Sequence, residues 1–141
     1  MAKIQLKNHV IICGYGIVGQ GVAEVLDEHK QPFVVIDISD NLANKMKELG
    51  YDFIQGDATL SRVLRQANIE NAKVVVFSID NDAKNLFGVL TARDLNKNIF
   101  IVTRANDDFV KEKLDEAGAN YIVMPHKTAS KEIVKELLKG K

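Results

Sequence analysis

Gly14-Tyr15-Gly16-Ile17-Val18-Gly19 has the spacing G-x-G-x-x-G, follows the apolar run His9-Val10-Ile11-Ile12-Cys13 and opens a segment of helical period. A turn of this kind is suited to holding an anion. Gly14 permits the tight turn, Gly16 lets backbone approach a pyrophosphate and Gly19 lets helix and strand pack closely, while the helix N-terminus supplies free N–H groups and positive potential. Gly21 adds a further close-packing position. Glycine at a strand-to-helix turn also serves as a plain tight connection, so a second element matters. Asp37 ends the run Phe33-Val34-Val35-Ile36-Asp37, eighteen positions beyond Gly19, close to the spacing of about 20 that sets a carboxylate on ribose hydroxyls. A carboxylate accepts from both hydroxyls of an adenosine ribose and repels a 2′-phosphate. No arginine lies between Asp37 and Gln55, so NAD or an unphosphorylated adenosine nucleotide is favoured over NADP. The plainer alternative for Asp37 is a solvated strand end or a helix cap.

Gly56-Asp57-Ala58-Thr59 follows the third short apolar run, where small residues let backbone approach a base or ribose. Thr59 is suited to cap the next helix, and Asp57 can do so by a longer route. Ser78-Ile79-Asp80 ends the fourth run on that same carboxyl edge, where ligand contact competes with plain capping of the next helix by Asp80 or Asn81. Arg104 is the arginine at a strand carboxyl end, placed to pair with phosphate or with Asp80 or Asp57. Asp80-Asn81-Asp82 resembles part of a calcium loop, but it lacks the glycine and the distant glutamate and reads as a cap and a wet first turn. His9, His29 and His126 stand too far apart in the pattern to make a dyad or a metal set. His9 and His29 read as surface residues, and His126 as a surface residue or a hinge contact.

These residues need a scaffold, and the chain alternates short β-branched runs with amphipathic segments. Strands are expected at 9–13, 33–37, 52–55, 73–78, 99–103 and 121–124, with helices at 18–29, 42–49, 59–67, 81–95 and 107–117. Gly50 and Gly118 close two of the helices, and Pro32 stops the first from continuing. Regular alternation of this kind implies an α/β fold: a Rossmann-like, doubly wound sheet of about six mainly parallel strands with helices on both faces. Pro125 and His126 end the sixth strand. Residues 128–138 then form an extra C-terminal helix with Ile133, Val134, Leu137 and Leu138 on one face. That helix either packs back on the domain or offers its apolar face to a partner. The chain therefore divides into a nucleotide-binding domain over residues 1–127 and a crossover or dimer-contact helix over 128–141.

The chain has 141 residues, 46% hydrophobic and 27% charged, with two prolines. That is one soluble globule with a proper core, too short to add a separate catalytic domain. Nineteen basic residues balance nineteen acidic ones, so no basic excess answers nucleic-acid phosphates or a membrane surface. The single cysteine, Cys13, lies in an apolar run and reads as a buried, inert thiol in a reducing cytosol. No apolar stretch approaches the roughly 18–20 residues of a membrane span, and the first residues lack a signal-peptide core.

The sequence resembles the regulator-of-potassium-conductance family, also called the TrkA N-terminal or KTN domain. The match rests on residues 9–19, on Gly56-Asp57-Ala58-Thr59 followed by Val63-Leu64 and Ala67-Asn68-Ile69, and on Ala117-Gly118-Ala119 before Val123-Met124-Pro125. The resemblance implies a cytoplasmic sensor at the inner face of the cell membrane, not an enzyme. It implies a homodimer, often built into a ring, attached to a membrane-embedded potassium channel or transporter and changing dimer geometry with ligand. The implied ligands are NAD or NADH, or AMP, ADP or ATP. Their implied contacts are Gly14, Tyr15, Gly16, Ile17 and Val18 at the phosphates, Asp37 and Ile38 at ribose and base, and Asp57 and Ala58 at the base. Ser78, Ile79 and Arg104 would line the cleft. Thr103-Arg104-Ala105-Asn106 departs from the acidic pattern of calcium-gated relatives. The usual C-terminal subdomain has no counterpart, which implies a fragment or a short stand-alone subunit. Two other functions compete: an NAD-dependent oxidoreductase fragment lacking its catalytic domain, and an interaction module whose glycine turn binds nothing.

Overall fold

Apolar runs of three to five residues are too short to bury themselves as helices, and they pair instead into one sheet. The computed structural model describes residues 3–140; Met1, Ala2 and Lys141, the ends of the two expected domain ranges, lie outside the described residues. The strands are β1 (Val10–Cys13), β2 (Phe33–Asp37), β3 (Asp52–Gln55), β4 (Val74–Phe77), β5 (Phe100–Arg104) and β6 (Tyr121–Val123). Their order is β3-β2-β1-β4-β5-β6, and every neighbouring pair is parallel. The helices are α1 (Ile17–Glu28), α2 (Ala43–Leu49), α3 (Ser61–Gln66), α4 (Asp82–Leu95), α5 (Asp108–Glu116) and α6 (Pro125–Lys139), with a 3-10 turn at Ile69–Asn71. The chain returns from β3 to the other side of β1, so the strand order reverses between β1 and β4. A crevice opens at such a switch point, at the carboxyl ends of the strands.

Side-chain alternation along the strands divides the interior in two. Ile11, Cys13, Val34, Ile36, Val75, Phe77 and Ile101 face α3, α4 and α5 and meet Leu64, Val89 and Leu114. The neighbouring set Val10, Ile12, Phe33 and Val35 faces α1 and α2 and meets Ala23 and Met46. Gly88 allows α4 to sit on β4, because a Cβ there would stand 2.3 Å from the Phe77 ring. At the far end of α4, the Arg93 guanidinium donates to the carbonyls of Asn96, Lys97, Ile99 and Gly118 and to the Asn120 side chain, tying the helix to the starts of β5 and β6.

The face carrying α1 and α2 is only half covered. Register places Phe100 beside Val74, and Tyr121 beside Val102; Phe100 and Tyr121 are exposed and Val74, Val76 and Val102 are half-buried. Helix α6 does not close this gap. It buries no residue, and Ile133, Val134, Leu137 and Leu138 are all exposed, so the packed-back alternative for this helix is excluded.

Several local expectations change. Helix α6 begins at Pro125, three residues earlier than expected, because proline is well suited to the first helical position, where its missing N–H has no intrahelical partner. Helix α3 begins at Ser61 and has no side-chain cap, so Thr59 does not cap it. Gly21 is not a close-packing position, since nothing lies within 4 Å of a Cβ there. His9 is fully buried rather than a surface residue. Its Nε2 donates to the Ala67 carbonyl at 2.7 Å, and Nδ1 has no partner among the described residues. Cys13 is buried as expected, and burial pushes its thiol pKa far up, which keeps it unreactive.

Candidate functional site

The glycine turn is fixed from three sides. Gly14 adopts φ +100°, a conformation open to glycine, and its N–H donates to Ile36 at 2.8 Å. Gly19 packs so tightly against it that a Cβ would stand 1.9 Å from the Gly14 carbonyl oxygen. The Ser78 hydroxyl reaches the Cys13 and Gly14 carbonyls at 3.1 and 2.9 Å, pinning β4 to the turn. Asp37 completes the arrangement: Oδ2 accepts the Tyr15 N–H at 2.7 Å and Oδ1 accepts the Ser39 N–H at 2.8 Å. The carboxylate is thus anchored by the turn it faces, and its remaining lone pairs stay available to an incoming hydroxyl.

This construction leaves the start of α1 bare. Gly16 stands at the N-cap without a side-chain hydrogen bond, no acidic residue lies in the first turn, and a Cβ on Gly16 would meet nothing within 4 Å. By contrast, Asn81 caps α4 by accepting from Lys84 N, and Asp107 caps α5 by accepting from Phe109 N. The first-turn N–H groups of a 12-residue helix, uncapped and backed by its dipole, face an open space.

That space is a cleft of about 400 Å³ at the β1/β4 switch point. Gly14, Tyr15, Gly16 and Ile17 border it from the turn, and Asp37 and Ile38 from the end of β2. Asp57 and Ala58 border it from the β3–α3 connection, Ser78 and Ile79 from beyond β4, and Arg104 from the end of β5. Three expected residues stand back. Val18 turns away in the first turn of α1, Gly19 packs on the strand, and Thr59 donates its N–H and hydroxyl to Asp57 Oδ1 at 2.9 and 2.7 Å. Tyr15 reaches the cleft by its backbone only, because its ring is buried in the α1–α2 core with Lys45 Nζ 5.9 Å from the ring centroid. Burial, reinforced by Glu24, raises the Tyr15 pKa.

Charge in the cleft is arranged in pairs. The Thr59 hydroxyl and N–H hold the Asp57 carboxyl below the ordinary value, with smaller help from Lys84 and Arg62. Arg104 donates to Asp80 at 3.2 Å and to Asn106 at 3.0 Å, so of its two expected acidic partners it takes Asp80. Asp82 accepts the N–H groups of Asn106 and Asp107, which joins α4 to the β5–α5 loop. The Asp80-Asn81-Asp82 run therefore works as caps and loop ties.

Gly56 and Asp80 also border the cleft, as their segments at the strand ends allow, and so do Ile36 and Lys84, which sequence reasoning did not assign to it. Ile36 is hidden by the strand pattern. Lys84 had a legible signal, since it lies three residues after the Asn81 cap and so in the first turn of a helix that starts at the cleft. Asn85 was missed altogether. It is fully buried on α4, its amide donates to the Ile79 and Arg104 carbonyls at 2.7 and 3.1 Å, and its Oδ1 accepts the Ile79 N–H. It fixes two sides of the cleft at once.

A parallel six-stranded sheet with this order, whose glycine turn and strand-end carboxylate meet at the switch point, is a Rossmann-type domain. Residues 10–125 match the TrkA-N domain, and the chain belongs to that family. It is 42% identical over 124 residues to probable potassium channel protein 2 of Methanocaldococcus jannaschii, covering 86% of this chain and 36% of the relative. It is 32% identical over 121 residues to YbaL of Escherichia coli, named a putative cation/proton antiporter, covering 86% of this chain and 22% of the relative. The crystal structure of the YbaL TrkA-N domain superposes with a TM-score of 0.92 at 31% identity, covering 96% of this chain and all of that one. The Shewanella denitrificans Kef C-terminal domain in its AMP-bound form superposes with a TM-score of 0.78 at 26% identity, covering 94% of this chain and 82% of that one. The chain thus spans well under half the length of these curated relatives.

Proposed function

We propose that this chain is a regulatory domain that binds an adenine nucleotide and controls a potassium channel or potassium transporter. One observation carries the reading: the bare N-terminus of α1 opens onto a preformed cleft whose opposite wall holds an anchored Asp37 carboxylate. Backbone N–H groups of Gly16 and Ile17 receive the 5′-phosphate, as helix starts do. Asp37 accepts from the ribose hydroxyls. The base lies between Ile38 and Ala58, near Asp57. The AMP named with the Kef neighbour supports an adenosine ligand, and the channel and antiporter relatives support a role in potassium or cation flux. Because one relative is named a channel and another an antiporter, both kinds of membrane partner stay within the proposal.

The domain acts by binding rather than by chemistry. His9 is buried at the opposite edge of the sheet, while His29 and His126 are exposed away from the cleft, so none stands where a hydride-transfer site needs a proton-transfer group. The apolar face of α6 and the uncovered sheet face with Phe100 and Tyr121 support a homodimer. Phe87, Leu90 and Phe109, exposed on the outer sides of α4 and α5, offer a second apolar surface for ring assembly. Ligand that favours one dimer geometry over another shifts the pair toward it, and that differential affinity drives the partner. No helix among the described residues is long and apolar enough to cross a membrane, which fits a cytoplasmic position beneath such a partner.

Thermal unfolding with NAD, NADH, AMP, ADP and ATP tests the reading, with scattering measurements of the dimer alongside. A ligand at about 100 times its dissociation constant stabilises the fold by about 2.7 kcal/mol. An unmoved transition with all five ligands refutes nucleotide binding, and a shifted transition with unchanged scattering refutes the geometric switch.

A further inference from the structure

The charges around the cleft do not suit a polyphosphate. Three carboxylates border it, Asp37, Asp57 and Asp80, against two cations, Lys84 and Arg104. Asp37 accepts two backbone N–H groups, and the Thr59 hydroxyl and N–H hold the Asp57 carboxyl below its ordinary value. Arg104 is already answered: its side chain is only 16% exposed and lies between Asp80 and Asn106. The turn itself adds no cation, since Tyr15 is buried in the core, Gly16 has no side chain and Ile17 projects into solvent. Positive potential for a phosphate therefore comes from one helix start, equivalent to about half a charge, and from Lys84.

We infer that the cleft selects adenine ligands of low negative charge, AMP and NAD, against ATP, and that Asp80 sets this limit. The inference rests on the nucleotide reading above. AMP carries about two negative charges and each further phosphate adds about one. In NAD the pyridinium offsets one of the two pyrophosphate charges. Asp80, whose side chain is 78% exposed, neutralises the one guanidinium at this end of the cleft and repels any phosphate beyond the first.

The test is calorimetric titration of the full chain with adenosine, AMP, ADP, ATP and NAD, at fixed ionic strength with divalent cations chelated. AMP and NAD are expected to bind most tightly, and affinity should fall roughly fivefold with each added phosphate charge from AMP to ATP. Asp80→Asn, checked as folded by its melting curve, removes the repulsion and releases Arg104. It should strengthen ATP binding at least roughly fivefold more than AMP binding. Affinity that is flat or rising from AMP to ATP overturns the inference and leaves the nucleotide reading intact, as does an equal effect of Asp80→Asn on both ligands. Failure of all five ligands to bind overturns the nucleotide reading itself and this inference with it.

Discussion

Replacing Asp37 by alanine separates two duties of one carboxylate. In the free protein it accepts the Tyr15 and Ser39 N–H groups at 2.7 and 2.8 Å, which fixes the glycine turn against the end of β2. In the bound protein it also receives the ribose. Hydrogen bonds to a charged acceptor contribute about 1.5–3 kcal/mol each where they are buried. Because Asp37 is only half-buried, Asp37→Ala should lower the unfolding free energy by about 2 kcal/mol in total, or about 4–8 °C in melting temperature for a chain of this size. Loss of the ribose acceptor should raise the dissociation constant for AMP or NAD by about 10- to 100-fold. Asp37→Asn keeps the shape, but its NH₂ faces one of the two N–H donors, so it should fall between wild type and alanine in both measurements. Calorimetric titration and ligand-free melting curves of the three proteins give the comparison. A melting temperature lowered as expected with an unchanged dissociation constant would refute the ribose contact, leaving Asp37 as a loop anchor only.

Gly16→Val should give a folded domain with a near-native melting curve, since nothing lies within 4 Å of the new Cβ and φ −81° is open to valine. Nucleotide binding should drop below detection in titration, and normal affinity would clear the turn of any phosphate contact. Arg93→Ala leaves the Gly118, Ile99 and Asn120 acceptors without their shared donor, and should cost about 3 kcal/mol in chemical denaturation without altering the cleft. A change under about 0.5 kcal/mol would show that water replaces the guanidinium. Asp57 has a folded pKa below its ordinary value of 3.8. Its contribution to stability is therefore present above that value and is lost as pH falls through the folded one. Thr59→Val removes the hydroxyl donor and should raise the Asp57 pKa seen by carboxyl NMR titration, and an unmoved titration would contradict the assigned cause.

The elements of the fold were legible because the central strands β1, β2 and β4 are nearly continuous apolar runs with parallel neighbours on both sides, as Val10–Cys13 illustrates, and such runs have few other places to go. The glycine turn and Asp37 were legible for the same reason: their chemistry is local and their spacing is set by one βαβ unit. What stayed hidden depends on tertiary contact. His9 looks like a polar residue at a strand start, yet the segment at residues 4–8, with Ile4 bonded to Gln66 and Leu6 to Asn68, lies along the base of the domain, and His9 is fully buried. Thr59 has the residue type of a cap, but Asp57 takes its donors first and the helix starts two residues later. Asn85 carries no signal beyond a polar residue on a buried helix face, and its three bonds to the ends of β4 and β5 become visible only once those strands are adjacent. The exposure of α6 likewise follows from the whole fold, since its apolar pattern suits packing on its own sheet as well as on another.

The central claim is tested most directly by a crystal structure of the chain grown with saturating AMP. Density for the phosphate within hydrogen-bond distance of the Gly16 and Ile17 N–H groups, with both ribose hydroxyls on the Asp37 carboxylate, is the expected result. An unoccupied cleft at that concentration, or AMP bound elsewhere on the molecule, would contradict it.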